Sequence, residues 1–207
     1  MSATPVILRE ENRIAQLMLD RPPRNEMSID LLDGLASLIA DTLPELDVDG
    51  VVVSGRGRHF SSGADVEALK AGLGGEHPQW SLAGLRRTSM ALQLLEDLPV
   101  PVVAAVSGCC FGSAVELAMA CHFRIAASNA VFALPETSFD LMPGCGGTAR
   151  LGALVGHGRA VELVLSGRAL SAQVAKDIGL VDAVVHKSDL MGHAERLIRR
   201  LRGEGKS

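Results

Sequence analysis

Apolar and polar positions in the first 40 residues predict a hairpin followed by a helix. Residues 6–8 and 14–19 are largely apolar runs separated by the polar segment 11–13, a pattern typical of two strands joined by a turn. Ser28 then precedes leucine and isoleucine residues that recur over 31–39 at the spacing of one helical face. We therefore expect an N-terminal hairpin and a helix capped by Ser28.

The rest of the chain alternates short apolar runs with helical patterns. Residues 51–53, 102–106 and 123–126 are short apolar segments typical of buried strands. A helical pattern over about 82–98 separates the first two, and another covers 190–202. Strands that alternate with helices predict an α/β domain with parallel crossovers.

Glu116 interrupts this pattern, because it is the one charged side chain in the small, apolar run 107–120. A helix beginning near Gly112 would give it no polar face. Burial would disfavour its charged form and raise its pKa, as suits a carboxyl group that transfers protons near neutral pH. The alternative is a glutamate at a helix edge that meets water, and this run alone leaves both open.

Composition narrows the class of protein. The chain has 207 residues, 47% of them hydrophobic, which suits a single domain with a substantial core. A net charge of -4 and the absence of a basic block argue against nucleic acid as a partner. The longest apolar stretch, 100–106, is too short to span a bilayer, and residues 1–5 lack the pattern of a signal peptide. We expect no membrane association and a cytoplasmic location.

The four cysteines indicate packing more than chemistry. Cys109, Cys110, Cys121 and Cys145 form no Cys-x-x-Cys pair and have no histidine at metal-ligand spacing. We therefore expect reduced core residues and no metal site. Because His122 follows Cys121 directly, spacing alone leaves a catalytic Cys-His pair open.

Three loops that follow predicted strands carry a recognisable set of motifs. Together they resemble the crotonase, or enoyl-CoA hydratase/isomerase, superfamily. The likeness covers most of the chain, and its strength lies in several motifs that occur in order. The motifs are Leu19–Pro22, Ser61–Asp65, Ser107–Ser113, Pro135–Thr148, Leu165–Arg168 and Gly179–Asp182.

The resemblance implies a fold and an assembly. The fold would be an α/β spiral of repeated ββα units, with a crotonase-like core over 1–187 and a shortened C-terminal helical region, a short helix and tail, over 188–207. The assembly would be a homotrimer, or a hexamer of two stacked trimers.

The resemblance also implies an acyl-CoA thioester substrate whose carbonyl oxygen accepts hydrogen bonds from two backbone N–H groups. By motif position these oxyanion-hole donors are Ala64 and Ser113. Small and glycine-flanked positions suit such a role, because they let the backbone approach a ligand. The alternative for either loop is an ordinary tight turn.

A second carboxylate, Glu136, matches the family's hydratases, which carry glutamates at both this position and that of Glu116. By carry-over Glu136 would protonate C2, Glu116 would activate the water, and Gly144 would contact that water through its backbone. The resemblance thus implies an enoyl-CoA hydratase. An enoyl-CoA isomerase, an acyl-CoA decarboxylase and a non-catalytic assembly subunit of the same fold are the alternatives.

The coenzyme A moiety would be part of the substrate, so no separate cofactor is expected. Arg24 stands where the family often has a basic residue near the phosphates, although an exposed arginine without a ligand is a close alternative. Backbone groups of Ser62 and Asp65 would frame the adenine end. Residues after Val66 would line the acyl pocket or belong to the core or an interface, namely Leu69, Leu73 and Trp80.

Departures from the family pattern fall beside the predicted site. Ser113 and Ala114 replace common glycines, and Asp140 stands where the family often has glycine. A third carboxylate there would either raise a neighbouring pKa or face solvent. Outside the family, Gly55-Arg56-Gly57 weakly suggests a nicotinamide dehydrogenase, but Phe60 occupies the third glycine position, and no Gly-x-Ser-x-Gly supports a serine hydrolase.

Overall fold

The computed structural model describes residues 5–65 and 82–203, with side chains of the second range from 86 onward. No helix in these ranges is long and apolar enough to cross a membrane. The strands are β1 (Val6–Glu11), β2 (Ile14–Leu19), β3 (Gly50–Gly55), β4 (Val102–Val106), β5 (Cys109–Phe111), β6 (Phe123–Ala127), β7 (Val131–Ala133), β8 (Leu170–Ser171) and β9 (Ala183–Val185). The helices are α1 (Ile29–Ser37), α2 (Leu82–Glu96), α3 (Ser113–Met119), α4 (Gly147–Val155), α5 (His157–Ser166), α6 (Ala172–Asp177) and α7 (Leu190–Leu201).

The N-terminal hairpin and the first helix confirm their sequence predictions. Strands β1 and β2 pair in antiparallel fashion around Asn12 and Arg13, which both have positive φ as a tight hairpin turn requires. The Ser28 hydroxyl accepts a hydrogen bond from the Leu31 N–H at 3.4 Å and caps α1. The apolar stripe then runs on into the π-helical turn Leu38–Thr42, so the predicted helix ends in a wider turn.

One six-stranded sheet forms the centre of the molecule, in the order β1-β2-β3-β4-β6-β9. All pairs after the hairpin are parallel, with Val51 opposite Val102, Val103 opposite Phe123 and Ile125 opposite Ala183. The carboxyl ends of β3, β4 and β6 therefore meet at one edge of the sheet.

A second, small sheet contains the short strands β5 and β7, which follow strands β4 and β6 of the large sheet along the chain. Its order is β5-β7-β8, and Ser61 adds an isolated bridge to Cys110. The succession of a long strand, a short strand and a helix recurs as β4-β5-α3 and again as β6-β7-α4. This recurrence confirms the expected α/β fold of ββα units.

The two faces of the large sheet have separate cores. Leu17 and Val53 belong to one core, which also contains buried residues of α1 to α6, whereas Val52 and Val103 belong to a second core with residues of α7. Leu190, Ala194 and Ile198 of α7 are buried on that second face. Helix α7 is thus amphipathic, and Arg196 and Arg200 on its other side are exposed.

Candidate active site

The small sheet brings the three predicted loops to one place. At the Ser61–Cys110 bridge, the Ser61 N–H donates to the Cys109 carbonyl at 3.0 Å and the Phe111 N–H donates to the Ser61 carbonyl at 3.2 Å. The Gly112 N–H donates to the Ala133 carbonyl at 2.9 Å. The residues that follow these contacts are Ala64, Ser113 and Glu136. The parallel strands therefore explain why motifs far apart in sequence converge.

Gly63 allows the first two loops to touch. It has φ of +87°, and a Cβ at this position would lie 2.5 Å from the Phe111 carbonyl oxygen and 3.7 Å from Gly112 Cα. Only glycine tolerates this conformation and contact together. The backbone just before Ala64 is consequently packed against the backbone just before Ser113.

The Ala64 and Ser113 N–H groups are the two predicted oxyanion donors. Within residues 5–65 and 82–203, neither N–H donates a hydrogen bond to a protein acceptor. Ser113 is the first residue of α3, where backbone N–H groups have no helical partner. Each of these two neighbouring loops therefore has one backbone N–H group without an acceptor in the described residues.

Glu116 is buried, with 3% of its surface exposed. This excludes the alternative of a solvent-exposed glutamate at the edge of a helix. Its Oε1 accepts hydrogen bonds from the Cys145 N–H at 2.8 Å and the Gly147 N–H at 2.9 Å. A Cβ at Gly147 would lie 2.5 Å from this oxygen, so glycine is required for the approach. The carboxylate is fixed by the backbone of the loop before α4.

The pKa of Glu116 reflects two opposed effects. Burial raises the pKa above its ordinary value, and the N–H groups of Cys145 and Gly147 and the charge of Arg150 oppose this rise. The net direction is upward. Glu116 is therefore a carboxyl group that is held ready to accept a proton while its anion has fixed hydrogen-bond donors.

Glu136 lies in a different environment. It begins the 3-10 turn Glu136–Phe139, and its Oε1 lies 3.1 Å from the position a Cβ would occupy at Gly112. Burial, with a smaller effect of the Glu116 charge, raises the pKa of Glu136 to about 7. Its protonated form is thus substantially populated near neutral pH.

Two buried polar side-chain atoms in the described part of the chain have no hydrogen-bond partner: Oε2 of Glu136 and Oγ of Ser113. Buried polar atoms in folded proteins are nearly always paired, so unpaired ones call for an explanation. Ser113 follows Gly112 in sequence, and Glu136 Oε1 lies 3.1 Å from the position a Cβ would occupy at Gly112. The two unpaired atoms therefore belong to side chains next to the Gly112 backbone, beside the predicted Ser113 donor.

Arg150 and Glu96 are site residues that the sequence interpretation missed. Arg150 donates from Nη1 to the Cys145 carbonyl at 2.7 Å, and its Nε and Nη2 reach Glu96 Oε2 at 3.0 and 2.9 Å. A signal was present, because an arginine in the first turns of a helix opposes the helix dipole and calls for an anionic partner. Nothing in the sequence identifies Glu96, 54 positions away, as that partner.

Asn25 is a second missed residue, with a role in shaping the loop that leads to Ala64. Its side chain is fully buried, and its Nδ2 donates to the carbonyls of Arg56, His59 and Phe60 at 3.0, 2.8 and 3.2 Å. It thereby attaches the Arg24 loop to the turn that follows β3.

Gly144 and Asp140 lie on the outer side of the site. The Gly144 N–H contributes weakly to lowering the pKa of Glu116, while the two close hydrogen bonds come from Cys145 and Gly147. Asp140 is exposed and ends the 3-10 turn with φ of 58°, a left-handed conformation. Of the two outcomes expected for Asp140, the structure supports a solvent-facing carboxylate.

Two of the residues expected to bind coenzyme A, Arg24 and Ser62, are in contact with each other. Arg24 is largely exposed and lies 3.2 Å from Glu26, and its carbonyl accepts the Ser62 N–H at 2.9 Å. The Ser62 N–H is therefore already used within the protein. Asp65 is partly buried at the end of the same loop. The acyl-pocket candidates Leu69, Leu73 and Trp80 lie outside the described residues.

All four cysteines lie in the described part of the chain, and their surroundings can be compared with the two roles considered for them. Cys110, Cys121 and Cys145 are buried, all four thiols are free, and burial raises the pKa of Cys121 and of Cys145 to about 12. His122 bonds to backbone instead of a thiol, through Val102 N–H and the Glu96 carbonyl. Across the described ranges, no three metal-ligating side chains cluster.

Sequence comparison with known proteins identifies the same family that the sequence motifs resemble. The sequence model of the enoyl-CoA hydratase/isomerase family matches residues 9–207. A "Probable enoyl-CoA hydratase" of Bacillus subtilis is 37% identical over 176 residues, covering 85% of this chain and 67% of that protein. A "Short-chain-enoyl-CoA hydratase" of Clostridium acetobutylicum is 36% identical, covering 97% of this chain and 76% of that protein.

Solved structures are similar over the same span. A putative enoyl-CoA hydratase from Thermobifida fusca, solved in complex with CoA, is 31% identical with a TM-score of 0.86, covering 97% of this chain and 79% of that one. The same protein has also been solved in complex with acetoacetyl-CoA. An enoyl-CoA hydratase from Bacillus anthracis is 33% identical with a TM-score of 0.86, covering 96% of this chain and 76% of that one.

Proposed function

This chain belongs to the enoyl-CoA hydratase/isomerase family, and on that premise we propose that it adds water across the C2=C3 double bond of a 2-enoyl-CoA thioester. The observation that carries the proposal is a pair of buried carboxyl groups in unlike environments. Glu116 has two backbone N–H donors on one oxygen, whereas Glu136 has an unpaired oxygen and a pKa raised to about 7. Such a pair supplies a base and an acid at the same pH.

The thioester carbonyl oxygen would accept hydrogen bonds from the Ala64 and Ser113 N–H groups. Attack at C3 moves the electrons of the double bond towards this oxygen and gives an enolate. Fixed donors stabilise the developing charge, and the loss of one donor in comparable sites costs about 3 kcal/mol. The packing of Gly63 against Phe111 supports this role by holding the two loops together.

The carboxyl groups would divide the proton transfers. Ionised Glu116 takes a proton from water as the water oxygen bonds to C3, and protonated Glu136 delivers a proton to C2. The product is a 3-hydroxyacyl-CoA, with the elements of one water added to the same face. Because the two groups interact electrostatically, their apparent pKa values belong to the pair.

A CoA thioester is the substrate class that the family comparison favours. The related Thermobifida fusca protein binds CoA and acetoacetyl-CoA in its solved complexes. In this chain Arg24, Ser62 and Asp65 would line the CoA path, and Gly144 would contact the water. No cofactor beyond the substrate is needed, and we propose a cytoplasmic homotrimer or hexamer.

The test is a panel of 2-enoyl-CoA thioesters of increasing chain length, followed by the absorbance of the conjugated thioester and by product mass. We expect absorbance to fall as a product heavier by one water appears. Migration of the double bond without a mass change would indicate an isomerase, and loss of carbon dioxide from a carboxyacyl-CoA would indicate a decarboxylase. CoA binding without any turnover would indicate a non-catalytic subunit.

A further inference from the structure

A partly buried ion pair lies behind the loop that holds Glu116: Arg150 is largely buried, whereas 40% of the Glu96 side chain is exposed. Arg150 is the fourth residue of α4 and has only 11% of its side chain exposed. Its Nε and Nη2 both bond to Glu96 Oε2, at the end of α2. Glu96 is itself anchored, because its backbone carbonyl contacts His122 Nε2 at 2.8 Å and His122 Nδ1 accepts the Val102 N–H.

The remaining arm of the guanidinium reaches the loop. Arg150 Nη1 donates to the Cys145 carbonyl at 2.7 Å, which fixes the peptide between Cys145 and Gly146. The peptides on either side of it carry the Cys145 and Gly147 N–H groups, and both of these donate to Glu116. One arginine thus fixes the central peptide of three, and the outer two hold the carboxylate.

Two glycines make this arrangement possible. A Cβ at Gly146 would lie 2.6 Å from Arg150 Nη1, and a Cβ at Gly147 would lie 2.5 Å from Glu116 Oε1. The loop is therefore a thin layer of backbone, with the guanidinium against one side and the carboxylate against the other. No larger residue at either position would allow both contacts.

We propose that Arg150, clamped by Glu96, is a positioning residue that fixes the two backbone donors of Glu116 and keeps a positive charge behind them. The proposal rests on the proposed function in one respect only, which is that Glu116 acts as the base. Arginine suits this role because its planar fork binds the carboxylate and the carbonyl together, which lysine cannot do.

The positive charge of Arg150 favours the ionised form of Glu116. Arg150 lowers the pKa of Glu116, whereas burial raises it. The other ionisable groups near Glu116 are the Cys145 thiol and Glu136, and the Glu116 charge raises the pKa of both. Removing the arginine would therefore leave Glu116 without its one nearby positive charge in the described part of the chain.

The test compares Arg150→Gln, Arg150→Lys and Glu96→Gln with a matched control, Arg168→Gln, which breaks the exposed Arg168–Glu162 pair at 3.1 Å. We expect Arg150→Gln to lower kcat about 100-fold, as small misplacements of a reacting group do, with KM changed less than about three-fold. Its acid limb in kcat/KM should move to higher pH. Arg150→Lys and Glu96→Gln should fall between Arg150→Gln and wild type, and Arg168→Gln should match wild type.

A titration independent of turnover separates this proposal from the proposed function. Glu116 is followed by NMR of ¹³C-labelled glutamate, assigned by the signal lost in Glu116→Gln. An upward shift of its midpoint in Arg150→Gln supports the positioning role even in a protein that hydrates no substrate. An unchanged midpoint together with unchanged kcat would overturn it, and Glu96→Gln and Arg150→Lys provide the same readout if Arg150→Gln does not fold.

Discussion

Glu116 occupies the space that a side chain at position 147 would need: a Cβ there would lie 2.5 Å from the carboxylate oxygen and 2.8 Å from Glu116 Cγ. The same glycine donates its N–H to that oxygen at 2.9 Å. Gly147 therefore holds the buried carboxylate against the backbone in two ways. It has no side chain to displace Glu116, and its N–H donates to the carboxylate oxygen.

Gly147→Ala should displace Glu116 and lower kcat about 100-fold, because a reacting group moved by about 1 Å loses that much. Gly152→Ala is the matched control, since Gly152 lies in the same helix and a Cβ there meets nothing within 4 Å. The control should keep wild-type kcat and gain about 0.5–1 kcal/mol of unfolding free energy. Equal kcat for both variants and wild type would contradict the assigned contact.

The rate of hydration should depend on pH in a bell shape. The active form has Glu116 ionised and Glu136 protonated, so kcat/KM falls at low pH as Glu116 gains a proton. It falls again as pH rises through about 7, where Glu136 loses its proton. Initial rates from pH 5 to 9 check this, and a rate that rises steadily to pH 9 would be inconsistent with Glu136 as the acid.

The free energy of unfolding should also depend on pH, because the pKa of Glu136 is raised in the folded protein. Its folded pKa of about 7 lies above the value of 4.5 for an unperturbed glutamate, so its stabilising contribution is complete below pH 4.5 and is lost as pH rises through 7. Glu136→Gln resembles the protonated form. After allowance for partial exposure, it should exceed wild type by about 1 kcal/mol in unfolding free energy at pH 8 and match it at pH 4. Urea titrations at the two pH values measure the difference, and equal differences would refute the pKa shift.

Ser113→Ala should stabilise the unliganded protein, because a buried hydroxyl without a partner costs about 1–3 kcal/mol. We expect a gain of about 1 kcal/mol in urea unfolding, with kcat within about three-fold of wild type because the backbone N–H is unchanged. Ser61→Ala is the control, and we expect it to change the free energy of unfolding in the opposite direction. Its hydroxyl is equally buried but accepts the Gly63 N–H at 3.1 Å, so its removal should destabilise.

Asp140→Gly should raise the unfolding free energy by about 0.5–1 kcal/mol, because Asp140 has φ of 58° and glycine adopts this conformation without strain. Asp140→Val should lower it, since β-branched residues resist positive φ. Turnover should be similar in both. A large change in the pH profile of Asp140→Gly would instead assign the carboxylate an electrostatic role.

The sequence predicted most of the fold because its strands and helices have clear periods and caps. Ser28 is an N-cap with an apolar stripe behind it, and the runs at 51–53 and 102–106 are buried strands. The helical pattern over 190–202 corresponds to α7, but the sequence did not predict that this helix packs on the second face of the sheet. The π-helical turn after α1 was not predictable, because the apolar stripe continues through it.

The candidate site was predictable in its side chains and less so in its backbone. Glu116 and Glu136 are visible as charged residues in apolar surroundings. The donors that hold Glu116 are N–H groups of Cys145 and Gly147, which any residue type carries, so spacing alone does not reveal them. Arg150 and Glu96 are 54 positions apart in the sequence, so their pairing depends on the tertiary structure.

The most direct test of hydration is the incorporation of ¹⁸O from labelled water into the product of crotonyl-CoA, the four-carbon 2-enoyl-CoA, measured by mass spectrometry for wild type, Glu116→Gln and Glu136→Gln. We predict one ¹⁸O atom in the 3-hydroxyacyl product of wild type, and rates lower by at least about 100-fold in both variants with CoA binding retained. Product without ¹⁸O, or near-normal incorporation by either variant, would contradict a mechanism in which the two carboxyl groups add water.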